Sequence, residues 1–179
     1  MLITTKIKTM ETKPNPHKIV TCLWFGKDAE EAVNFYLSVF KDGKAGRKTY
    51  YGAEGHEIHG MPEGAVLTIE FEVLGHQFVV LNGGPAFTFN EAVSFIINCK
   101  DQDEIDYYWD KLTEGGDPKA QQCGWCKDKY GLSWQVVPTI LDDMIADPDK
   151  EKAGRAMNAM MQMKKIDIAK LEEAFNSDS

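Results

Sequence analysis

Asp28-Ala-Glu-Glu-Ala-Val-Asn-Phe-Tyr36 and Asp101-Gln-Asp-Glu-Ile-Asp-Tyr-Tyr-Trp109 are two versions of one segment, 73 positions apart. Each opens on Asp with Glu three residues later. That is the sequence form of a capping box, in which two side chains satisfy N–H groups left unpaired at a helix start. Each then carries an aromatic pair at the same offset, Phe35-Tyr36 and Tyr108-Trp109. Ala32, Phe35, Tyr36 and Val39 recur at helical spacing and give the first helix an apolar face. Ahead of each cap lies an apolar run that reads as a strand, over residues 19–25 and 92–99. Strand, capped helix and paired aromatics therefore occur twice in register, the mark of an internal duplication.

Between the two copies, residues 44–53, 65–74 and 76–82 read as strands, with Gly75 at the last tight turn. The first half is thus β-α-β-β-β. The second is more compressed, with short strands expected near Lys119, over 123–127 and over 132–137. Asp128-Lys-Tyr-Gly131 joins the last two: Asp bonds its own backbone in such turns, and Gly accepts positive φ. Alternation along the final strand puts Leu132, Trp134 and Val136 on one face and Ser133, Gln135 and Val137 on the other. The polar row reads as a wet surface or as the floor of a polar-tipped pocket.

After Pro138 the character changes. Thr139-Ile-Leu-Asp142 resembles a boxed helix start, and Asp147-Pro148 a cap followed by Pro at the first helical position. Asp167 caps a last helix, with Ile166 and Leu171 spaced as a hydrophobic staple. Met157, Met160, Met161 and Met163 are expected to pack this tail onto the body as adaptable gap-fillers. The expected organisation is a polar, Pro-punctuated arm over 1–17, a two-module domain over 18–138 divided after residue 84, and a helical tail over 139–179.

Acidic residues outnumber basic ones by 28 to 20 in 179 residues, a formal charge of −8. That balance argues against nucleic acid, whose phosphates demand clustered Lys and Arg. No apolar run approaches the roughly 18 residues of a membrane helix. The start lacks the long apolar core of a signal peptide, so a cytoplasmic protein is expected. Cys22, Cys99, Cys123 and Cys126 then read as reduced thiols. Cys123-Gly-Trp-Cys126 has C-x-x-C spacing, but a structural zinc site wants a second pair or added His ligands. Redox chemistry wants the motif at a helix N-terminus. Here it falls in a strand, and structural thiols are expected.

Two such modules with a Phe-Tyr-type pair on each helix resemble the vicinal oxygen chelate superfamily, the glyoxalase and bleomycin-resistance fold. More narrowly, the chain is similar to the PhnB-like family, whose signature is named after 3-demethylubiquinone-9 3-methyltransferase. The residues that carry the resemblance are Leu23-Trp24-Phe25, Ala29 to Tyr36, Gly124-Trp-Cys-Lys-Asp128 and Gly131-Leu-Ser-Trp-Gln-Val-Val-Pro138. The tail Lys164-Lys-Ile-Asp-Ile-Ala-Lys-Leu171 is also similar. The resemblance implies an α+β fold in which two βαβββ modules form a cupped mixed sheet, here with a C-terminal helical extension, and a homodimer with its site inside the cup.

It also implies where metal-dependent members place ligands, on the first and last strands of each module. Carried onto this chain, these positions fall on Thr21, Ser94 and Gln135, and near Val79 with Asn82 the closest polar residue. None is a strong divalent ligand, so no metal or other cofactor is expected. His56-Glu-Ile-His59 offers an alternative metal pair if its glycine-flanked loop folds over the cup; otherwise it is a solvated loop. His76 reads as a turn residue, and His17 belongs to the arm. Methyl transfer would need a Gly-rich strand-to-helix turn for the cofactor. Asn82-Gly-Gly-Pro85 is followed by no helix start and reads as the inter-module turn.

The function expected is a metal-free binding protein for a small aromatic or oxygenated molecule. Its cup would be lined by aromatics including Phe25, Phe78 and Phe95, with Trp24, Asn82, Ser94, Trp125, Trp134 and Gln135 as the ligand-binding set. The alternative is an enzyme of lyase, isomerase or dioxygenase type on a small oxygenated substrate. Its acid–base candidates would be Asp128, Glu70, Glu72, Tyr50 and Tyr51. An interaction protein using the acidic, Met-rich tail is a third possibility, with no partner motif to support it.

Overall fold

The computed structural model describes residues 17–177, so the expected N-terminal arm lies, apart from His17, outside the described residues. The first module runs β1 (Thr21–Phe25), α1 (Ala29–Val39), β2 (Lys44–Tyr50), the single turn α2 (His56–His59), β3 (Val66–Val73) and β4 (His76–Asn82). The second runs β5 (Ser94–Cys99), α3 (Gln102–Thr113), a 3₁₀ turn at Pro118–Ala120, β6 (Trp125–Lys127) and β7 (Ser133–Pro138). The tail forms α4 (Ile140–Ile145), α5 (Lys150–Met161) and α6 (Ile168–Asn176).

The modules build one sheet each, in strand order β1-β4-β3-β2 and β5-β7-β6. In both, the first strand lies parallel to the last. The second sheet has three strands where the first has four, because the strand expected near Lys119 is the 3₁₀ turn. Asp117 draws the chain round there by accepting from the Lys119 N–H at 2.9 Å, and Pro118 has no N–H for a ladder.

Each sheet buries one face against its helix. Leu23, Phe25, Ile69, Phe71, Phe78 and Val80 face α1, while Ile97, Cys99, Cys126, Trp134 and Val136 face α3. The helices form one layer: Tyr107 of α3 donates to the Val39 carbonyl of α1 at 2.8 Å. Aromatics close the seam beneath them, with Phe78 and Phe95 rings 5.1 Å apart and Phe95 and Trp134 rings 5.5 Å apart.

The helical repeat holds at a shift of 73, but the strands obey a shift of 74. Module one has Gly26 and Lys27 between its strand and Asp28; module two has only Lys100 before Asp101. Leu23 therefore corresponds to Ile97, and Phe25 to Cys99, all four buried toward the helices. Because strand side chains alternate, this one-residue difference reverses the face assigned to every residue ahead of it. Thr21 is the counterpart of Phe95, not of Ser94.

The two helix starts differ in the same way. At α3, Asp101 accepts from the Glu104 N–H at 2.9 Å, and the Glu104 carboxylate accepts from the Lys100 N–H at 2.9 Å. At α1, Asp28 makes no side-chain cap. Asn82, from the end of β4, accepts from the Ala29 N–H instead, at 2.9 Å.

Beyond β7 the tail returns to the second module. The N–H groups of Cys123 and Gly124 donate to the carbonyls of Met163 and Lys164 at 2.9 and 2.8 Å. Gln102 of α3 donates to the Ile166 carbonyl and accepts from the Ile168 N–H. Asp167 caps α6, and the staple pair Ile166 and Leu171 is wholly buried. Helix α5 starts two residues later than Asp147 suggests: Asp149 is its cap, and Asp147 accepts from the Asp149 N–H. Met160 and Met163 pack on the core, whereas Met161 is exposed.

The docking segment leaves no room at Gly124, where φ is +83° and an added Cβ would lie 2.9 Å from the Val136 carbonyl oxygen and 3.2 Å from Ile166 Cγ1. Gly124→Ala combines left-handed strain with overpacking, for an expected loss of about 1–3 kcal/mol. A urea midpoint unchanged from the parent's would show that the turn can relax away from the tail.

Candidate functional site

The face of each sheet opposite the helices is where a ligand can meet polar side chains. On the second sheet, strand pairing builds two rows there. Ser94, Ser133 and Lys127 align across β5, β7 and β6, and beside them lie Ile96, Gln135 and Trp125. Gln135 donates from Nε2 to Ser94 Oγ at 2.9 Å. This leaves the Gln135 carbonyl oxygen as an acceptor and the Ser94 hydroxyl proton as a donor. Ser94, Trp125 and Gln135 are therefore brought together.

The other expected site residues go elsewhere. Trp134 lies on the helix side, where its Nε1 donates to Asp128 at 2.9 Å. Asn82 is buried under the start of α1, accepting from Ala29 and donating to the Val66 carbonyl at 3.0 Å. Both of its functions are used in holding backbone. Trp24 is on the open face of the first sheet, with its Nε1 donating to the Gly84 carbonyl at 2.9 Å and Phe87 against its ring. Gly83 passes directly beneath it, so close that a Cβ would strike the indole. Phe25, Phe78 and Phe95 lie on the helix side of their sheets, so the aromatic lining expected for a cup is largely the shared core. Thr21 is also on that side, hydrogen-bonded to His76 Nε2 at 2.9 Å.

Asp128 is the most heavily engaged acidic group. Its Oδ2 accepts from Tyr36 Oη and Trp134 Nε1, both at 2.9 Å, and its Oδ1 from the N–H groups of Tyr130 and Leu132. Burial pushes its carboxyl up, while the hydrogen bonds from Trp134, Tyr36 and the two backbone groups pull it down. Burial also raises the Tyr36 phenol well above its usual value, helped by the Asp128 charge. Asp128 thus ties α1 of the first module to the β6–β7 turn of the second, with its carboxylate on the helix side of the sheet rather than on the open face. Glu70 is tied to Arg47 at 2.7 Å.

Cys123 and Cys126 do not form a strand pair. Cys123 and Gly124, at φ +52° and +83°, are the two central residues of a tight turn closed by the Trp125 N–H on the Gln122 carbonyl. Left-handed geometry at both positions is the pattern of a two-residue hairpin loop. Cys126 faces the core, and burial pushes its thiol up to about 12. Cys99 is likewise raised to about 12 by burial. Neither supplies thiolate near neutral pH.

The sequence model of the 3-demethylubiquinone-9 3-methyltransferase family matches residues 17–137. The chain belongs to this family. Among solved structures, a putative 3-demethylubiquinone-9 3-methyltransferase, PhnB protein, from Bacillus cereus is 33% identical. The alignment covers 68% of this chain and 99% of that one, with a TM-score of 0.57. A protein from Pseudomonas aeruginosa is 19% identical over 67% of this chain and 96% of its own, with a TM-score of 0.50. No curated protein is significantly similar to the chain. The fold is the glyoxalase-like, vicinal oxygen chelate architecture. The family match stops at residue 137, so the similar stretch in the tail lies beyond it.

The metal found in part of this superfamily does not fit the residues present. The strand positions facing one another on the open faces are Cys22 beside Val79 in the first module and Ile96 beside Gln135 in the second. An exposed thiol, two aliphatic side chains and a neutral amide offer no carboxylate–imidazole set. Among the described residues no group of three or more His, Cys, Asp and Glu side chains is placed to hold an ion. His59, half of the alternative pair, has both ring nitrogens engaged: Nε2 with the Glu54 carbonyl, and Nδ1 as acceptor of the Met61 N–H. Asn82-Gly83-Gly84 is a strand end whose Gly83 and Gly84 N–H groups bond the Phe25 and Gly26 carbonyls. It is not the start of a helix.

Three members of the open-face rows lie outside the expected set: the exposed aliphatic Ile96 and two polar residues, Lys127 and Ser133. The alternation of the last strand placed Ser133 beside Gln135. Lys127 became legible only through the pairing of β6 with β7, which local sequence does not fix.

Proposed function

We propose that this family member binds a small aromatic or oxygenated molecule, without a metal ion, on the open face of the second module's sheet. The observation that supports the reading is the Ser94–Gln135 hydrogen bond, next to the half-buried indole of Trp125. It leaves one oriented acceptor and one oriented donor beside an aromatic wall, the few-polar-groups pattern of small-molecule sites. Among the acidic groups weighed for catalysis, Glu70 is held by Arg47, and Asp128 lies on the far side of the sheet. The enzyme reading gains no acid–base pair from them. The homodimer implied by the resemblance is part of the proposal. No helix among the described residues is long and apolar enough to cross a membrane.

Native mass spectrometry of untagged protein tests these points together. The expected spectrum is a dimer without metal that retains a small organic adduct, and Gln135→Leu should lose the adduct while remaining dimeric. One metal ion per subunit would overturn the metal-free reading, and an adduct retained by Gln135→Leu would remove the site from this face.

A further inference from the structure

At the rim of the open face a cavity of about 340 Å³ is lined by Glu91, Gln122, Cys123, Trp125, Lys127 and Ser133. Two of these side chains stand in an unusual state. Ser133 is 1% exposed, and its Oγ has no hydrogen-bond partner. A buried hydroxyl without a partner is costly, and such groups in folded proteins call for an explanation. Lys127 lies directly across the β6–β7 ladder from Ser133. Its side chain is only 21% exposed, and its ammonium pairs with Glu91, whose carboxylate side chain is 63% exposed on the inter-module connection.

An ion pair with one partner so open to water holds weakly, because water competes for the carboxylate. An anion entering the cavity meets the same ammonium in a more sheltered place, with a second donor waiting in Ser133. Charge-assisted hydrogen bonds of this kind are the stronger ones. The Trp125 indole supplies the apolar wall against which a flat ring can lie. The other large grooves lack such features. In the one between α3 and residues 162–167, Gln102 already binds the tail backbone and Lys165 is paired with Asp106.

We propose that this cavity takes a small aromatic carboxylate, its ring against Trp125 and its carboxylate on Lys127 and Ser133, with Glu91 displaced from the lysine. The assignment rests on the ligand-binding reading above and adds a ligand class, a charge and an exchange of partners.

The test is calorimetric titration of the full chain with 1-naphthoate and with its neutral analogue 1-naphthalenemethanol. Naphthoate should bind about tenfold or more tighter than the alcohol, as expected for a charge-assisted contact. Lys127→Gln should erase that preference, and Lys127→Arg should keep most of it. Ser133→Ala should weaken naphthoate alone. Glu91→Gln, a change at an exposed position, should tighten naphthoate several-fold by removing the competing carboxylate and leave the alcohol unchanged. That gain is the signature a purely structural ion pair would not produce. Equal binding of the two compounds, both lost in Gln135→Leu, would overturn the carboxylate assignment and leave the ligand-binding reading standing. Binding of neither compound, or weaker naphthoate binding in Glu91→Gln, would also overturn it, while the adduct spectrum judges the broader reading independently.

Discussion

Asp128→Asn is expected to destabilise the fold by about 3 kcal/mol or more, the largest loss from any single polar change proposed for this chain. All four contacts to the carboxylate come from donors: Tyr36 Oη, Trp134 Nε1 and two backbone N–H groups. An amide of the same shape turns an NH₂ group toward two of them, leaving buried donors face to face. Tyr36→Phe removes one donor and leaves three, for an expected loss of about 1–2 kcal/mol. Burial holds the Asp128 carboxyl above its usual range. The folded chain thus binds that proton more tightly than the unfolded one, whose value is about 3.9. The group's contribution is complete below the unfolded value and is lost as pH rises through the folded one. The gap between parent and Asp128→Asn should therefore narrow as pH is raised across that window, without closing at neutrality. Urea titrations at several pH values measure this. A neutral-pH difference under about 1 kcal/mol would mean that the two modules do not depend on this carboxylate.

Ile166→Ala should lose about 2–5 kcal/mol, as large-to-small changes at fully buried aliphatic positions do. Ile166 has no exposed surface, and it lies against the turn whose Cys123 and Gly124 N–H groups bond the adjacent tail carbonyls. Removing three carbons there opens a void between the tail and β6 that backbone hydrogen bonds on both sides keep from collapsing. Met161→Ala, at a side chain more than half exposed, is the control and should fall within about 0.5 kcal/mol of the parent. If Ile166→Ala proved equally silent, the tail would be an appendage rather than part of the core.

The two helices and their aromatic pairs were legible because both signals are local, although the capping bond read at both starts forms only at Asp101, with Asn82 taking that place at α1. The final-strand alternation was legible for the same reason, and it separated Trp134 from Gln135 correctly. What misled was a count. Gly26 and Lys27 stand where the second module has Lys100 alone, so the opening-strand positions that the resemblance implies, Thr21 and Ser94, fall 73 residues apart and on opposite faces. The true partner of Thr21, Phe95, is aromatic and offers no resemblance to find. Asn82 was misplaced for a different reason: its work at the start of α1 depends on β4 lying parallel to β1, a contact between residues far apart in sequence. The site suffered more than the fold, since a binding face is set by which strands are neighbours, and Lys127 meets Ser133 only through such a pairing.

The parallel pairing of first and last strands in both modules has a consequence for how the chain acquires its shape. Neither β1 nor β5 can find its neighbour until the rest of its module has been made, since β4 and β7 come last. Contacts of such long sequence separation slow folding, because loop-closure entropy is lost before they form. The turn at Cys123 and Gly124 waits longer still, for Met163 and Lys164. During synthesis from the N-terminus the first module can therefore close while the second is being made, but the second stays open at its edge until nearly the whole chain has emerged.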